Sequence, residues 1–231
     1  MPTDYPAAFN LPTGANSAAY TDRGWCFTES CWATLTKDFD FSLDLGRLQG
    51  GEEGKKAIVD MCTKGGGRSP PLLPEEFEAV LSTKAFTNGE TDTPLVTTLY
   101  RDAFVAECAK ATELIYADLG WEDAQAAQLA RVIASGAFMN LERLNLSNNR
   151  IGDAGVTFIA RACGIQGVLP KLKKLYLSFN DTDDPGIAAL ADCLSGGALP
   201  ALESLEVGRD FVGDPKLSAA CESRSSRIEV G

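Results

Sequence analysis

Apolar residues recur through the second half of the chain with two interleaved spacings, and together they predict alternating short strands and helices. The pattern L-x-x-L-x-L-x-x-N-x-I-x-D fits Leu141, Leu144, Leu146, Asn149, Ile151 and Asp153. Thirty-one residues on it fits Leu172, Leu175, Leu177, Asn180, Thr182 and Asp184, and thirty further Leu202, Leu205, Val207, Asp210, Val212 and Asp214. A degenerate copy precedes them at Ala111, Leu114, Tyr116, Leu119, Trp121 and Asp123. A period of about thirty residues predicts a stacked solenoid of four units, 111–140, 141–171, 172–201 and 202–231.

Each position in the unit has a physical reason. Leucines two apart place their side chains on one face of a short strand and send the intervening residues to the other. The asparagine turns the chain out of the strand, and its amide can satisfy backbone groups in neighbouring turns. Asp123, Asp153, Asp184 and Asp214 stand where helix N-caps are expected, and Pro185 and Pro215 suit the first helical position. The segments that follow carry apolar residues at i, i+3 and i+4, as in Val156, Ile159 and Ala160 or Ile187, Leu190 and Ala191. The predicted fold class is therefore α/β, a parallel sheet on the concave side with helices on the convex side. A last helix through Cys221 and a strand over 228–230 are expected to close it.

These units resemble leucine-rich repeats of the ribonuclease-inhibitor-like kind, in which N-x-I-G-D-x-G, here residues 149–155, leads from strand to helix. The resemblance covers 111–231. It implies a surface that binds other proteins, with activators of small GTPases and actin-filament caps among its forms.

The first half is less regular. Residues 1–70 read as an N-terminal segment with an irregular start, a helix over 24–37, a strand-like stretch at 39–45 and a helix over 52–62; 65–71 reads as a loop. Residues 71–110 read as a helical cap, with a short helix at 74–81 and a longer one at 92–110 that carries Leu95, Leu99, Phe104 and Val105 on or near one face. Such a cap covers the apolar end that a solenoid cannot leave wet. Trp25, Trp32 and Trp121 are expected to be core anchors.

The run 20–29, YTDRGWCFTE, resembles the S-x-W-C-x-x-E-L helix of Toll/interleukin-receptor domains and similar segments of protist and algal proteins. That resemblance implies a glutamate at position 29 serving NAD cleavage. No strands of such a domain precede it, so no catalytic residue is assigned and Glu29 is expected to be solvated. An NAD-cleaving enzyme fragment centred on Glu29 stands as the alternative.

Charge and residue usage narrow the chemistry. The chain has 231 residues and a net charge of −11, which disfavours nucleic acid as a partner. Histidine is absent, which removes the Ser-His and Cys-His nucleophile pairs and the commonest metal ligand. Seven cysteines lack CxxC spacing and read as reduced thiols. QGGEEGKK, residues 49–56, lacks the phosphate-loop pattern, and Asp181, Asp183 and Asp184 lack the spacing of a calcium loop. No cofactor and no metal are expected. No apolar run is long enough to span a membrane and the start has no secretory signal, so a cytoplasmic protein is expected.

The outward strand positions form three columns: Glu113, Arg143, Lys174 and Ser204; Ile115, Asn145, Tyr176 and Glu206; Ala117, Ser147, Ser178 and Gly208. Ile115, Arg143, Asn145, Lys174, Tyr176 and Glu206 are the candidate partner-binding residues, suited to an acidic or mixed-charge peptide or protein surface. A permanent subunit of a larger assembly is the alternative.

Overall fold

Three-residue strands separated by helices of about three turns leave little room for anything but a parallel stack, and that is what forms. The computed structural model describes residues 17–19, 22–36, 68–208, 211–223 and 228–230. The expected segments at 39–45 and 52–62 lie outside them. In chain order the elements are α1 (Gly24–Thr36), α2 (Pro74–Leu81), α3 (Gly89–Lys110), β1 (Glu113–Ile115), α4 (Asp123–Ala134), β2 (Arg143–Asn145), α5 (Asp153–Cys163), β3 (Lys174–Tyr176), α6 (Asp184–Ser195), β4 (Ser204–Glu206), α7 (Pro215–Glu222) and β5 (Glu229–Val230). The five strands make one sheet in sequence order, every pair parallel. Leu114, Leu144, Leu175 and Leu205 pair in register as one buried column, and α4 to α7 stack side by side behind it. Each such leucine contributes about 2 kcal/mol of burial.

Two polar ladders tie one repeat to the next. The first is the asparagine. Asn149 Oδ1 accepts from the amides of Leu119 (3.1 Å) and Trp121 (3.0 Å) in the preceding turn, and its Nδ2 donates to the carbonyls of Tyr116 (2.7 Å) and Leu146 (2.9 Å). Asn180 repeats this with the Ile151 amide and the Leu146 and Leu177 carbonyls. Because the asparagine always serves the unit before it, the first unit can carry Leu119 in that position.

The second ladder corrects the expected capping. Asp123, Asp153 and Asp184 are not the N-caps of their own helices; Glu122, Gly152 and Asp183 are. Asp123 Oδ1 instead accepts from Gly152 N (2.8 Å) and Gly155 N (2.9 Å), at the start of the next repeat's helix. Asp153 Oδ1 does the same for Asp183 N (2.8 Å) and Gly186 N (2.9 Å). Each carboxylate thus faces the positive end of the neighbouring helix. The ladder stops at α7, where Leu217 replaces the glycine and its amide is taken by Asp214, a true N-cap, at 2.8 Å. In that last unit Phe211, not Val212, packs against the core, and Val212 is exposed.

The first three helices join the same hydrophobic core, which runs continuously from Cys31 to Ile228. Phe27 of α1 stacks on Phe77 of α2 (ring centroids 5.4 Å apart), which stacks on Tyr100 of α3 (3.9 Å). Residues 68–72 run between these helices and the repeats. Tyr100 Oη donates to Leu72 O, Trp121 Nε1 to Arg68 O and Gln128 Nε2 to Pro70 O. Arg131 of α4 pairs with Glu76 of α2.

α3 differs from the sequence reading in extent and phase. It begins at Gly89, where Thr91 N and Asp92 N both bond Asn88 O. Its buried side is Val96, Tyr100, Phe104 and Cys108, while Leu95, Leu99 and Val105 are exposed. Tyr100 sets that rotation, being held by both Phe77 and Leu72. Of the tryptophans, Trp121 is buried and Trp32 half-buried, but Trp25 is 41% exposed and is not a core anchor. α1 buries Gly24, Thr28 and Cys31 instead; this rotation sets Trp25 edge-on to Phe86 with its Nε1 donating to Asp92.

Candidate protein-binding face

The column of leucines faces the helices, so the residue on either side of each leucine faces the opposite way. The strand register aligns Glu113, Arg143, Lys174 and Ser204 in one row and Ile115, Asn145, Tyr176 and Glu206 in the next. All six candidate residues therefore lie on two adjacent columns. Lys174 and Glu206 are exposed; Ile115, Arg143, Asn145 and Tyr176 are half-buried among their neighbours.

The electrostatics of the face differ from what the residue types suggest. Arg143 already pairs with Glu113 at 2.9 Å, both side chains being partly solvated, so half of the expected basic pair is shared within the sheet. Lys174 has no ion pair among the described residues. Asn145 Oδ1 accepts from Ser147 N at 2.9 Å and is partly committed to its own turn. Along the edge where the strands begin, Lys173 bonds Glu142 at 2.9 Å, and that hydrogen bond together with the charges of Glu142 and Glu203 raises the Lys173 pKa. This second charged row was missed in the sequence, although its spacing of thirty to thirty-one residues, Glu142, Lys173, Glu203, exposes it.

Other candidates are not brought together. Glu29 is exposed on α1, and the cavity beside that helix is lined by Phe27, Ser30, Cys31, Thr34, Leu72 and Gln128 among others, not by Glu29. Among the described residues no three His, Cys, Asp or Glu side chains gather as a metal site would require, and no helix is long and apolar enough to cross a membrane.

Burial also governs the thiols. Desolvation pushes Cys31 and Cys108 up to about 12 from an ordinary value of 9.0, and raises Cys163 as well. A thiol whose pKa is raised on folding contributes stability that is present below the unfolded value and lost as pH climbs towards the folded one. Denaturant unfolding is therefore expected to show stability falling as pH passes 9 towards 12. Iodoacetamide at pH 8 is expected to leave these three thiols unmodified in the native chain, since the thiolate is the reactive form; labelling at the rate of the unfolded chain would contradict their burial.

With the geometry in place, one comparison bears on the class. A model of the leucine-rich repeat matches residues 139–160 and 168–191, which span β2 with α5 and β3 with α6. The chain therefore carries leucine-rich repeats in its second half. The chain is similar in structure to leiomodin-1 actin-binding site 2, with a TM-score of 0.46 and 15% identity over 56% of this chain and 77% of that one. No curated protein matches the chain in sequence.

Proposed function

We propose that the protein is a protein-binding module whose concave sheet face, centred on Ile115, Arg143, Asn145, Lys174, Tyr176 and Glu206, receives a mixed-charge peptide or protein surface. One observation carries the reading: the unbroken register from β1 to β4 places these residues on two adjacent columns of a rigid parallel sheet. Tyr176 is half-buried in the column between Asn145 and Glu206, and an aromatic side chain at the middle of such a face is the kind of residue that anchors an interface. Lys174 and Glu206 supply one charge of each sign on adjoining columns. Strand–helix units of thirty to thirty-one residues, each strand followed by a full helix, favour the ribonuclease-inhibitor-like kind of repeat.

The test is affinity capture with Arg143→Glu combined with Tyr176→Ala. Loss of an interface anchor and reversal of a charge together are expected to weaken capture at least about tenfold. Loss of the solvated Arg143–Glu113 pair is expected to cost less than about 1 kcal/mol of folding stability, and truncation of the half-buried Tyr176 about 1–2 kcal/mol, so the variant is expected to remain folded. Retention of the same partners at wild-type strength would remove the concave face as the binding surface.

A further inference from the structure

The outer side of α3 is largely apolar and faces solvent. Leu95, Leu99 and Val105 are 51%, 39% and 62% exposed. Single apolar residues scattered over a surface need no explanation, but these three belong to one stripe. Leu95, Asp102 and Ala109 recur every seven residues, as do Thr98 and Val105, and Leu99 and Ala106. Each of these residues is exposed. At 3.6 residues per turn, steps of three and four keep such a set on one side of a helix, so the stripe runs about four turns, ~21 Å, along α3. The opposite side is fully used: Val96, Tyr100, Phe104 and Cys108 are buried, with Phe77 of α2 stacked on Tyr100.

The polar members of the stripe define what fits it. Thr98 Oγ1 donates to Pro94 O of its own helix at 3.0 Å, which leaves its methyl group to the surface. Asp102 differs, being exposed and without an ion pair among the described residues. The two cations of α3 are already taken, Arg101 by Glu78 of α2 at 3.6 Å and Lys110 by Glu107 at 2.9 Å. A lone carboxylate in the middle of an apolar stripe selects against a second copy of this chain. A two-fold pair of α3 helices that covers the stripe sets Asp102 against its own copy, and like charges in contact are unfavourable. The same carboxylate selects for a cation opposite it.

We infer that this stripe docks an amphipathic helix of a partner protein, with apolar residues at three- and four-residue spacing and one lysine or arginine at its middle, set against Asp102. A helix suits the surface because a straight row at heptad spacing is complementary to another such row. The flank of a helix also offers no free backbone groups to which an added strand could bond. The stripe is separate from the concave columns and does not require them to bind anything.

The experiment uses the full chain and a synthetic helical probe of about four turns, with leucines at three- and four-residue spacing and a lysine at the central apolar position, beside a counterpart with glutamate there. The lysine peptide is expected to bind, more weakly as salt is raised, and the glutamate peptide at least about tenfold more weakly. Asp102→Lys is expected to reverse that preference. Leu95→Gln combined with Leu99→Gln is expected to weaken the lysine peptide about tenfold, while the melting temperature changes by less than about 2 °C because both side chains are exposed. No binding of the lysine peptide, equal binding of the two peptides, an unreversed preference in Asp102→Lys, or unchanged affinity in the leucine variant would overturn the inference. A larger fall in melting temperature in the leucine variant would overturn it too, by making these leucines packing residues. So would a dimer in sedimentation that the leucine variant abolishes, which assigns the stripe to a second copy, or a tighter peptide complex in a full-chain Phe9→Ser variant, which assigns it to residues 1–16. Arg143→Glu separates the two surfaces: it is expected to leave peptide binding unchanged, and a loss there would move the binding to the concave face.

Discussion

Asn149→Ala is expected to lower the free energy of unfolding by about 4 kcal/mol, the largest effect of any single truncation discussed. The side chain is 7% exposed and connects two repeats. Removing it strands the amides of Leu119 and Trp121 and the carbonyl of Tyr116 inside the stack. The Leu146 carbonyl is not stranded, because Asn180 Nδ2 also donates to it at 2.9 Å. Three orphaned groups at about 1–3 kcal/mol each, less what water recovers by entering the gap, give the estimate. Asn180→Ala provides the internal comparison. Asn180 is half-buried, and its loss strands one amide, Ile151 N, and one carbonyl, Leu177 O, while Leu146 O keeps Asn149, so it is expected to cost about 2 kcal/mol. Urea unfolding of both variants measures the difference; equal costs, or a cost below about 1 kcal/mol for Asn149→Ala, would mean that the ladder is not what holds the turns.

Gly155→Ala is expected to destabilise by about 3 kcal/mol, in the opposite direction to helix propensity, which favours alanine over glycine by about 1 kcal/mol. A Cβ at this position would lie 2.5 Å from Ile151 Cγ2, 2.6 Å from Asp123 Oδ1 and 3.1 Å from Ala126 Cβ. The nearest groups are a core side chain and the carboxylate that caps this helix from the repeat before. Relieving the clash means pulling Asp123 away from Gly152 N and Gly155 N, so the methyl group breaks the ladder as well as overpacking the core. Gly186 repeats the geometry with Asp153 Oδ1 at 2.7 Å and Thr182 Cγ2 at 2.6 Å. A double-mutant cycle with Asp123→Ala makes the test specific: removing the carboxylate vacates one of the clashing positions, so the double variant is expected to lose less than the sum of the singles. A stability gain in Gly155→Ala would show that propensity outweighs the contact.

The two variants separate what the repeat pattern says from what stacking adds. The leucine spacing anticipated the strand of each repeat and the helix behind it, and the closing strand expected over 228–230 forms at Glu229–Val230. The candidate face was legible for the same reason: once strands are in phase, the residues between the leucines must align as columns. Their chemical state was not legible. Arg143 reads as one of a basic pair, yet the stacking that aligns it with Lys174 also places it 2.9 Å from Glu113 on its other side.

The sequence by itself determined the period, the alternation of strand and helix, and the two columns that candidate residues share. These follow from backbone geometry within one unit, where a period of two or of 3.6 residues assigns each side chain a face. Only the tertiary structure decided which carboxylate caps which helix, which side of α3 is buried, and why Trp25 lies at the surface. Those depend on how closely one unit approaches the next. Asp123 lies one residue inside its own helix yet 2.8 Å from the amide of Gly152, a distance set by stacking between repeats that spacing along the chain does not contain.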